Sequence, residues 1–279
     1  MRRTDEIRVR AKRYAERAEA LRGGHASVDA VYVIADRDSE IGGGLMAGAL
    51  AYRIFIWLLP FALVVVAGIG IASSASESPE SAAKSLGLQG VVASSVAEAA
   101  RSSSRWYALL IGVPILLWAT RSLLKAVVVV HRLVWGDLRR AVPKPTAGAT
   151  LLFLAMLVGY FVIFELARAV RSWTGSVPLG ILAGFLGIFA WWLVLSSRLP
   201  HRGVSWHWLV PGAIVMAIGL ELISSIGGLL IAPRIESSQS TYGALGVAAT
   251  LLFGLYLISR LVVASAVVNA TVWERRSAA

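Results

Sequence analysis

The chain contains no cysteine, and this absence removes several kinds of chemistry at once. Without thiols there can be no disulfide, no thiol nucleophile and no thiolate metal site. Charged residues make up only 15% of the 279 residues, and there are four histidines, none of which forms an H-x-x-x-H or H-E-x-x-H pattern. Phosphate-binding loops, G-x-S-x-G nucleophiles and dinucleotide fingerprints are also missing from the sequence. The sequence therefore predicts no metal, no cofactor and no enzymatic activity.

Long apolar stretches are abundant, and they decide the fold class. A membrane-crossing helix needs about 20 predominantly apolar residues, because only a helix or a closed barrel satisfies its backbone polar groups inside a bilayer. The mean hydropathy of +0.71 lies well above that of a soluble domain. We expect an all-α polytopic membrane protein with six transmembrane helices, at Leu45–Ile71, Trp106–Val130, Ala147–Val170, Pro178–Leu195, Trp208–Ala232 and Tyr242–Thr271.

The net charge of +11 follows the membrane topology rather than indicating a nucleic-acid partner. Residues 1–40 hold nine basic and eight acidic residues, so this tail is nearly neutral. Most of the remaining basic residues fall into segments that share one side of the membrane if both chain ends are cytoplasmic, as the positive-inside rule predicts. We expect a membrane protein with both chain ends inside and no nucleic-acid partner.

The same pattern divides the chain into a cytoplasmic tail over residues 1–40 and a transmembrane domain over residues 41–279. The first apolar stretch begins too late and is too long for a cleaved signal peptide, so it is expected to remain as the first crossing. An outside loop over residues 73–104 is expected to carry one amphipathic helix that lies on the outer surface.

Two amphipathic helices are predicted in the tail, Arg2–Arg22 and Val28–Asp38. Apolar residues recur in each at spacings of three and four, which places them on one face. Such helices can lie on the anionic inner leaflet of the membrane, or they can pack against the protein's own cytoplasmic face. The sequence leaves both alternatives open.

Ionisable residues at membrane depth are the first candidates for a functional site, because a lone charge there is costly. Arg53, Glu221 and Arg260 lie within predicted crossings, and Glu165 lies towards the outer end of another. We hypothesise that Glu221 pairs with Arg260 or Arg53 and that the second arginine binds an anionic ligand such as a lipid phosphate. The alternative is a structural ion pair that fixes helix register.

A basic stripe is predicted along the second crossing, which we expect to continue as a helix to about Leu138. Arg121, Lys125, Arg132 and Arg139 are spaced by four, seven and seven residues, which places them on one helix face. The stripe could bind phosphate headgroups of anionic lipids. The alternative is a collar that contacts lipid phosphates without specificity.

Three glycines, Gly180, Gly184 and Gly187, lie along one face of the fourth crossing. Small residues at such spacings allow helices to approach closely. We interpret this face as internal packing rather than as a dimerisation surface.

Two segments carry a resemblance to a known family. The run Gly44-Leu-Met-Ala-Gly-Ala-Leu-Ala-Tyr-Arg-Ile-Phe-Ile-Trp-Leu-Leu-Pro60 resembles the first crossing of YihY/BrkB-type envelope proteins. Tyr242-Gly-Ala-Leu-Gly246, with the later Tyr256 and Asn269-Ala270, resembles the last crossing of that family. The plan of a tail, six crossings and a large first outside loop agrees as well. The resemblance implies a bacterial inner-membrane protein of envelope integrity that exports or flips a lipid-like molecule.

The sequence departs from the family pattern at several positions. Arg53 stands where the family usually has an aromatic residue, Trp57 where it usually has serine, and Val267 where an acidic residue commonly precedes the Asn-Ala pair. Arg260 is a further addition at an apolar position. The family was once labelled ribonuclease BN, but the clustered carboxylates or paired histidines that RNA hydrolysis requires are missing from this chain.

Two functions follow from these observations. A transporter or flippase of an anionic amphiphile would have a polar cavity lined by Arg53, Glu221 and Arg260, with membrane lipids as partners. A non-transporting scaffold that organises envelope proteins would have a dry, well-packed bundle.

Overall fold

The computed structural model describes residues 26–72, 105–137, 144–226 and 232–277, and within these residues all regular structure is helical. Six helices are long and apolar enough to cross a membrane, the fifth of them together with the 3₁₀ turn that precedes it. The predicted all-α fold with six transmembrane helices is therefore confirmed. The predicted helices at Arg2–Arg22 and within residues 73–104 fall outside the described residues. The elements are α1 (Ala26–Glu40), α2 (Gly43–Ala72), α3 (Arg105–Val134), α4 (Ala147–Thr174), α5 (Val177–Arg198), a 3₁₀ turn (Trp206–Leu209), α6 (Val210–Ile226) and α7 (Ala232–Ser277).

Local sequence signals set both ends of α4. The hydroxyl of Thr146 accepts a hydrogen bond from the backbone N–H of Ala149 at 3.2 Å, which satisfies one of the free donors of the first turn. Gly175 then ends the helix in the left-handed conformation with φ of 64°. Only Gly175 and Ser176 separate α4 from α5, so the two helices form an antiparallel hairpin.

Two predicted boundaries are wrong. Helix α3 ends at Val134 rather than near Leu138, because Gly136 adopts a left-handed conformation with φ of 65°. The N–H groups of Gly136 and Asp137 donate to the carbonyls of Leu133 and Arg132, at 3.1 Å and 2.9 Å, which is the Schellman arrangement of a helix C-terminus.

Helix α7 begins at Ala232, ten residues before the predicted start at Tyr242. Pro233 is its second residue, where a missing backbone N–H costs nothing. Helix α6 is described as far as Ile226, and residues 227–231, over which the fifth crossing is predicted to continue, lie outside the described residues.

The transmembrane helices pack in a closed circuit. Helix α2 packs against α3 and α7, α6 packs against α7 and α5, and α4 packs against α5 and, less extensively, α3. The hairpin partners run antiparallel, because residue numbers rise along one helix as they fall along the other. Arg53 and Trp57 of α2 bond to Ser122 and Thr120 of α3, and Gly180 and Gly187 of α5 face Arg171 and Ile163 of α4. The circuit places α4, α5 and α6 on one side of the bundle and α2, α3 and α7 on the other.

Aromatic side chains join the two sides of the bundle. The rings of Trp57 and Phe61 stack at 4.6 Å, and Phe61 stacks in turn on Phe161 of α4 at 5.2 Å. The indole N–H of Trp57 donates to the hydroxyl of Thr120 at 2.9 Å, so this buried polar group has a partner. The side chain at position 57, where the resemblance predicts serine, therefore belongs to the core.

Helix α1 packs on the protein itself, against α2 and α7. Packing on the protein itself agrees with the second of the two alternatives for this helix, and its location on the cytoplasmic side stays a prediction. Three ion pairs attach α1 to α7, namely Asp29–Arg275 at 2.6 Å, Asp38–Arg260 at 2.9 Å and Arg37–Glu274. Arg37 also donates to the carbonyl of Val134 at 2.8 Å, which ties α1 to the end of α3.

Candidate functional site

A groove of about 380 Å³ opens between α4, α5 and α6, at the end of the bundle that carries the α4–α5 connection. Its size is within the usual range of small-molecule sites. Most of its walls are apolar, with Ile163, Ile188 and Leu220 among the lining side chains. The groove is therefore suited to a molecule that has a substantial apolar surface.

A small set of polar side chains faces this groove. Arg168 and Arg171 of α4, Tyr160 of the same helix, and Glu221 of α6 line it, and Ser224 and Ser225 lie one turn beyond Glu221. Arg168 and Arg171 are both exposed, whereas Glu221 is half-buried. The groove thus combines two cations at its accessible edge with one carboxylate deeper in the bundle.

Glycines on α5 create the space that the groove occupies. A Cβ at Gly184 would collide with Oε1 of Glu221, one at Gly180 would lie 2.7 Å from Cβ of Arg171, and one at Gly187 would collide with Ile163. Without side chains at these positions, α4 lies close to α5, and the Glu221 carboxylate rests on the α5 backbone. The interpretation of this glycine face as internal packing is confirmed.

The predicted pairing of Glu221 with Arg260 or Arg53 is wrong. Arg260 makes two hydrogen bonds to the carboxylate of Asp38, at 3.0 Å and 2.9 Å, and this side-chain pair is largely buried. Arg53 donates instead to the hydroxyl of Ser122 on α3. Because α5 presents its glycines to Glu221, the carboxylate turns towards α5 and α4 rather than towards α7.

The prediction of one cavity lined by Arg53, Glu221 and Arg260 is also wrong, because the three side chains face different helices. Glu221 lines the groove on one side of the bundle, whereas Arg53 lies at the α2–α3 contact and Arg260 at the α1–α7 contact. The three side chains serve three separate helix contacts.

The basic stripe on α3 is shorter than the sequence predicts. Helix α3 ends before Arg139, which lies outside the described residues, and Arg132 is buried and forms an ion pair with Asp137 at 3.3 Å. Arg121 and Lys125 remain exposed on the outer face. The stripe therefore reduces to these two residues.

Glu165 lies beside the groove rather than inside it. Its carboxylate is 3.6 Å from Arg168, one turn along α4, and about 60% of each side chain is exposed. Arg168 also lies over the ring of Phe164, with its guanidinium carbon 5.3 Å from the ring centroid. Pairs this exposed contribute little stability, so the contact mainly orients Arg168 along the rim of the groove.

The sequence reasoning missed Tyr160 and Arg171 as groove residues. The spacing of Tyr160, Ile163, Ala167 and Arg171 is three, four and four, which places them on one face of α4. All four line the groove. A polar residue at each end of an otherwise apolar helical face was the signal that could have found them.

Within the described residues, no group of three or more histidine, aspartate or glutamate side chains could hold a metal ion. The carboxylates of Asp29, Asp38 and Glu274, on α1 and α7, each form an ion pair with an arginine. The groove contributes one carboxylate, Glu221, to its lining. The groove therefore has the character of a binding site, with its carboxylate on α6 and its two guanidinium groups on α4.

The family model for virulence factor BrkB matches residues 34–279, which covers all of α2 to α7 and the second half of α1. The chain belongs to the BrkB family. Together with the six apolar helices, this membership makes it a multi-pass membrane protein. Searches of curated proteins and of solved structures found no match.

Two positions of the resemblance now have a structural role. Asn269 is buried, and its side-chain oxygen accepts a hydrogen bond from the backbone N–H of Gly212 at 2.6 Å, which caps the start of α6. Val267, which stands where an acidic residue is expected, is fully buried in the apolar core. Asn269 therefore joins α6 to α7, and position 267, where the resemblance predicts an acidic residue, belongs to the apolar core.

Proposed function

We propose that this BrkB-family protein binds an anionic amphiphile in the groove between α4, α5 and α6 and moves it across the bacterial inner membrane. The observation that carries the proposal is the combination of apolar walls with Arg168 and Arg171 at the accessible edge of the groove. An apolar chain would lie against the walls, and an anionic headgroup would bind the guanidinium groups. The positive-inside bias supports an orientation with both chain ends in the cytoplasm.

The position of Glu221 gives the proposed site a direction. Ala167, which faces Gly184 beside Glu221, lies one turn along α4 from Arg171. An anionic headgroup that is bound by Arg171 would meet a carboxylate if it moved one turn deeper. In this proposal, Arg168 and Arg171 receive the headgroup, and Glu221 opposes its further entry until the groove rearranges. No catalytic step, cofactor, metal or nucleic acid takes part.

The test is transbilayer movement of a fluorescent phosphatidylglycerol in liposomes that contain the purified protein. The Gly184→Leu variant fills the groove at the point where the side chain of Glu221 lies, and Arg171→Gln removes a cation from its edge. Both variants are expected to lose most of the movement that the unmodified protein produces. Gly159→Leu is the matched control, because a Cβ at Gly159 of α4 meets open space.

Two results would contradict the proposed groove. The first is movement that survives in both Gly184→Leu and Arg171→Gln. The second is an equal loss in Gly159→Leu, which would show that any added bulk on these helices has the same effect. If the folded, unmodified protein moves no anionic lipid above the rate of empty liposomes, transport itself is wrong.

A scaffold that organises envelope proteins is the second candidate, and the exposure of α4 favours it. Only Thr150 and Phe153 of this 28-residue helix are buried. Its outer face presents apolar side chains such as Val162 and Leu166. A scaffold would use this face to bind another membrane protein, and charge substitutions on α4 would then abolish co-purification of that partner without affecting lipid movement.

A further inference from the structure

The outer face of α3 divides into an apolar part and a cationic part. At about 100° per residue, Tyr107, Ile111, Trp118, Arg121 and Lys125 fall within an arc of about 80°. All five side chains are exposed, and the first three are 65%, 58% and 67% accessible. The buried residues of this helix, among them Leu116, Leu123 and Val127, lie on the opposite side. From Tyr107 to Lys125, this face therefore points away from the bundle.

A third cation joins the cationic part from the neighbouring helix. The guanidinium of Arg53 on α2 donates to the hydroxyl of Ser122, and Lys125 lies one turn further along α3 from this serine. Arg53 is itself exposed. We call Arg53, Arg121 and Lys125 the α2–α3 cationic patch.

The α2–α3 cationic patch has no acidic counterpart on its own helices. Neither Gly43–Ala72 nor Arg105–Val134 contains an aspartate or a glutamate. In the part of the chain that the structure describes, no carboxylate forms an ion pair with Arg121 or Lys125. Three cations at this position therefore attract an anion from outside the protein.

We propose that the α2–α3 cationic patch is a binding site for the headgroup of an anionic glycerophospholipid. The apolar part of the same α3 face, Tyr107 to Trp118, would contact the acyl chains, and the patch would contact the phosphate. Trp118 lies at the boundary, where an indole ring suits the interface between chains and headgroups. The continuity of apolar and cationic surface on one helix face favours a lipid over a free anion.

This site lies apart from the proposed transport groove. The groove is lined by α4, α5 and α6, whereas the patch lies on α2 and α3. A lipid at the patch would be retained rather than moved. The proposal therefore does not depend on transport, and either one can fail without the other.

The test is native mass spectrometry of the full-length protein in a neutral detergent, with added phosphatidylglycerol, phosphatidylcholine or glycerol phosphate. The unmodified protein is expected to retain phosphatidylglycerol in preference to phosphatidylcholine and to retain no glycerol phosphate. Each cation near an anionic headgroup strengthens lipid binding about fivefold. The double variant Arg121→Gln, Lys125→Gln lacks two cations, so we expect it to retain phosphatidylglycerol roughly thirtyfold more weakly.

The matched control is the double variant Lys144→Gln, Arg198→Gln, which removes the same charge from exposed positions outside the patch and the groove. It is expected to retain phosphatidylglycerol like the unmodified protein. A second pair, Arg121→Lys with Lys125→Arg, keeps both charges and is expected to retain the lipid. If the double glutamine variant does not fold, each single glutamine variant is expected to weaken retention about fivefold.

Three results would overturn the proposal. Equal retention of phosphatidylglycerol and phosphatidylcholine would show that no headgroup is recognised. An equal loss in the patch and control variants would show that only net charge matters. Retention of glycerol phosphate as strong as that of the lipid would assign the patch to a free anion.

Discussion

The contact between Asn269 and Gly212 should be a large single contribution to the stability of the α6–α7 pair. Gly212 is the third residue of α6, so its N–H belongs to the first turn and has no partner within the helix. The side-chain oxygen of Asn269 accepts this bond at 2.6 Å, and Asn269 is only 3% exposed. Replacing Asn269 by leucine keeps a similar side-chain size but leaves a buried backbone donor without an acceptor.

The expected cost follows from two ranges. Leaving a buried donor unsatisfied costs about 1–3 kcal/mol in soluble proteins, whereas interhelical hydrogen bonds in membranes reach at most about 1.7 kcal/mol. We therefore expect Asn269→Leu to lower the free energy of unfolding by about 1–2 kcal/mol. In a chain of this size, that corresponds to a fall in the apparent Tm of about 2–8 °C.

The measurement is thermal unfolding in detergent, followed by tryptophan fluorescence at a fixed scan rate, because unfolding of membrane proteins is often irreversible. Thr271→Val is the matched control, two residues along the same helix. Thr271 is also 3% exposed, but its hydroxyl has no hydrogen-bond partner among the described residues. Its replacement by valine should be neutral or slightly stabilising.

The reasoning would be refuted if Asn269→Leu unfolded at the temperature of the unmodified protein. Equal losses in Asn269→Leu and Thr271→Val would refute it as well, since they would show that burial alone decides the effect.

Two further predictions concern the α1 end of the bundle. Asp38→Asn should loosen α1 at a cost of about 1–2 kcal/mol, between the values for exposed and buried ion pairs, and should speed amide exchange of residues 26–40 by roughly tenfold. Glu40 is exposed and forms no ion pair with another residue that the structure describes. Glu40→Gln removes the same charge and should not speed this exchange, so equal exchange in the two variants would contradict the prediction. Gly136→Ala should lower the free energy of unfolding by about 1–2 kcal/mol, because φ is 65° there. Thermal unfolding beside Gly148→Ala, whose Cβ meets open space, measures this cost, and indistinguishable variants would count against it.

The fold could be predicted from the sequence because hydropathy is a local property of the chain. Each of the six apolar stretches contains the information that it forms a membrane-crossing helix, and the observed α4 and α5 differ from prediction by a few residues. The boundaries that failed depend on short-range chemistry that hydropathy does not register. Gly136 ends α3 through its backbone conformation. Pro233 is compatible with the first turn of α7, which lies in a polar segment that hydropathy does not identify as part of a crossing.

The candidate site could be predicted from the sequence only in part. Glu221 could be singled out from the sequence because a carboxylate in an apolar helix is unusual wherever it points, and the structure places it in the lining of the groove. Its surroundings depend on which helix packs beside it, and that is a property of the whole bundle. Arg260 shows the same limit, because its partner Asp38 lies 222 positions away in a helix that the sequence assigns to the tail. No local pattern connects two such residues.

The attachment of α1 to α7 also has a consequence for biosynthesis. The ion pairs of Arg260, Glu274 and Arg275 with α1 join residues 222, 237 and 246 positions apart. At about 5–20 residues per second, the ribosome needs roughly 10–50 s to synthesise the intervening chain. During that interval α1 has no α7 to bind. Its docking on α7 is therefore one of the last steps of assembly. In a chain that is truncated before α7, α1 would lack these contacts and would be accessible to proteases and chaperones.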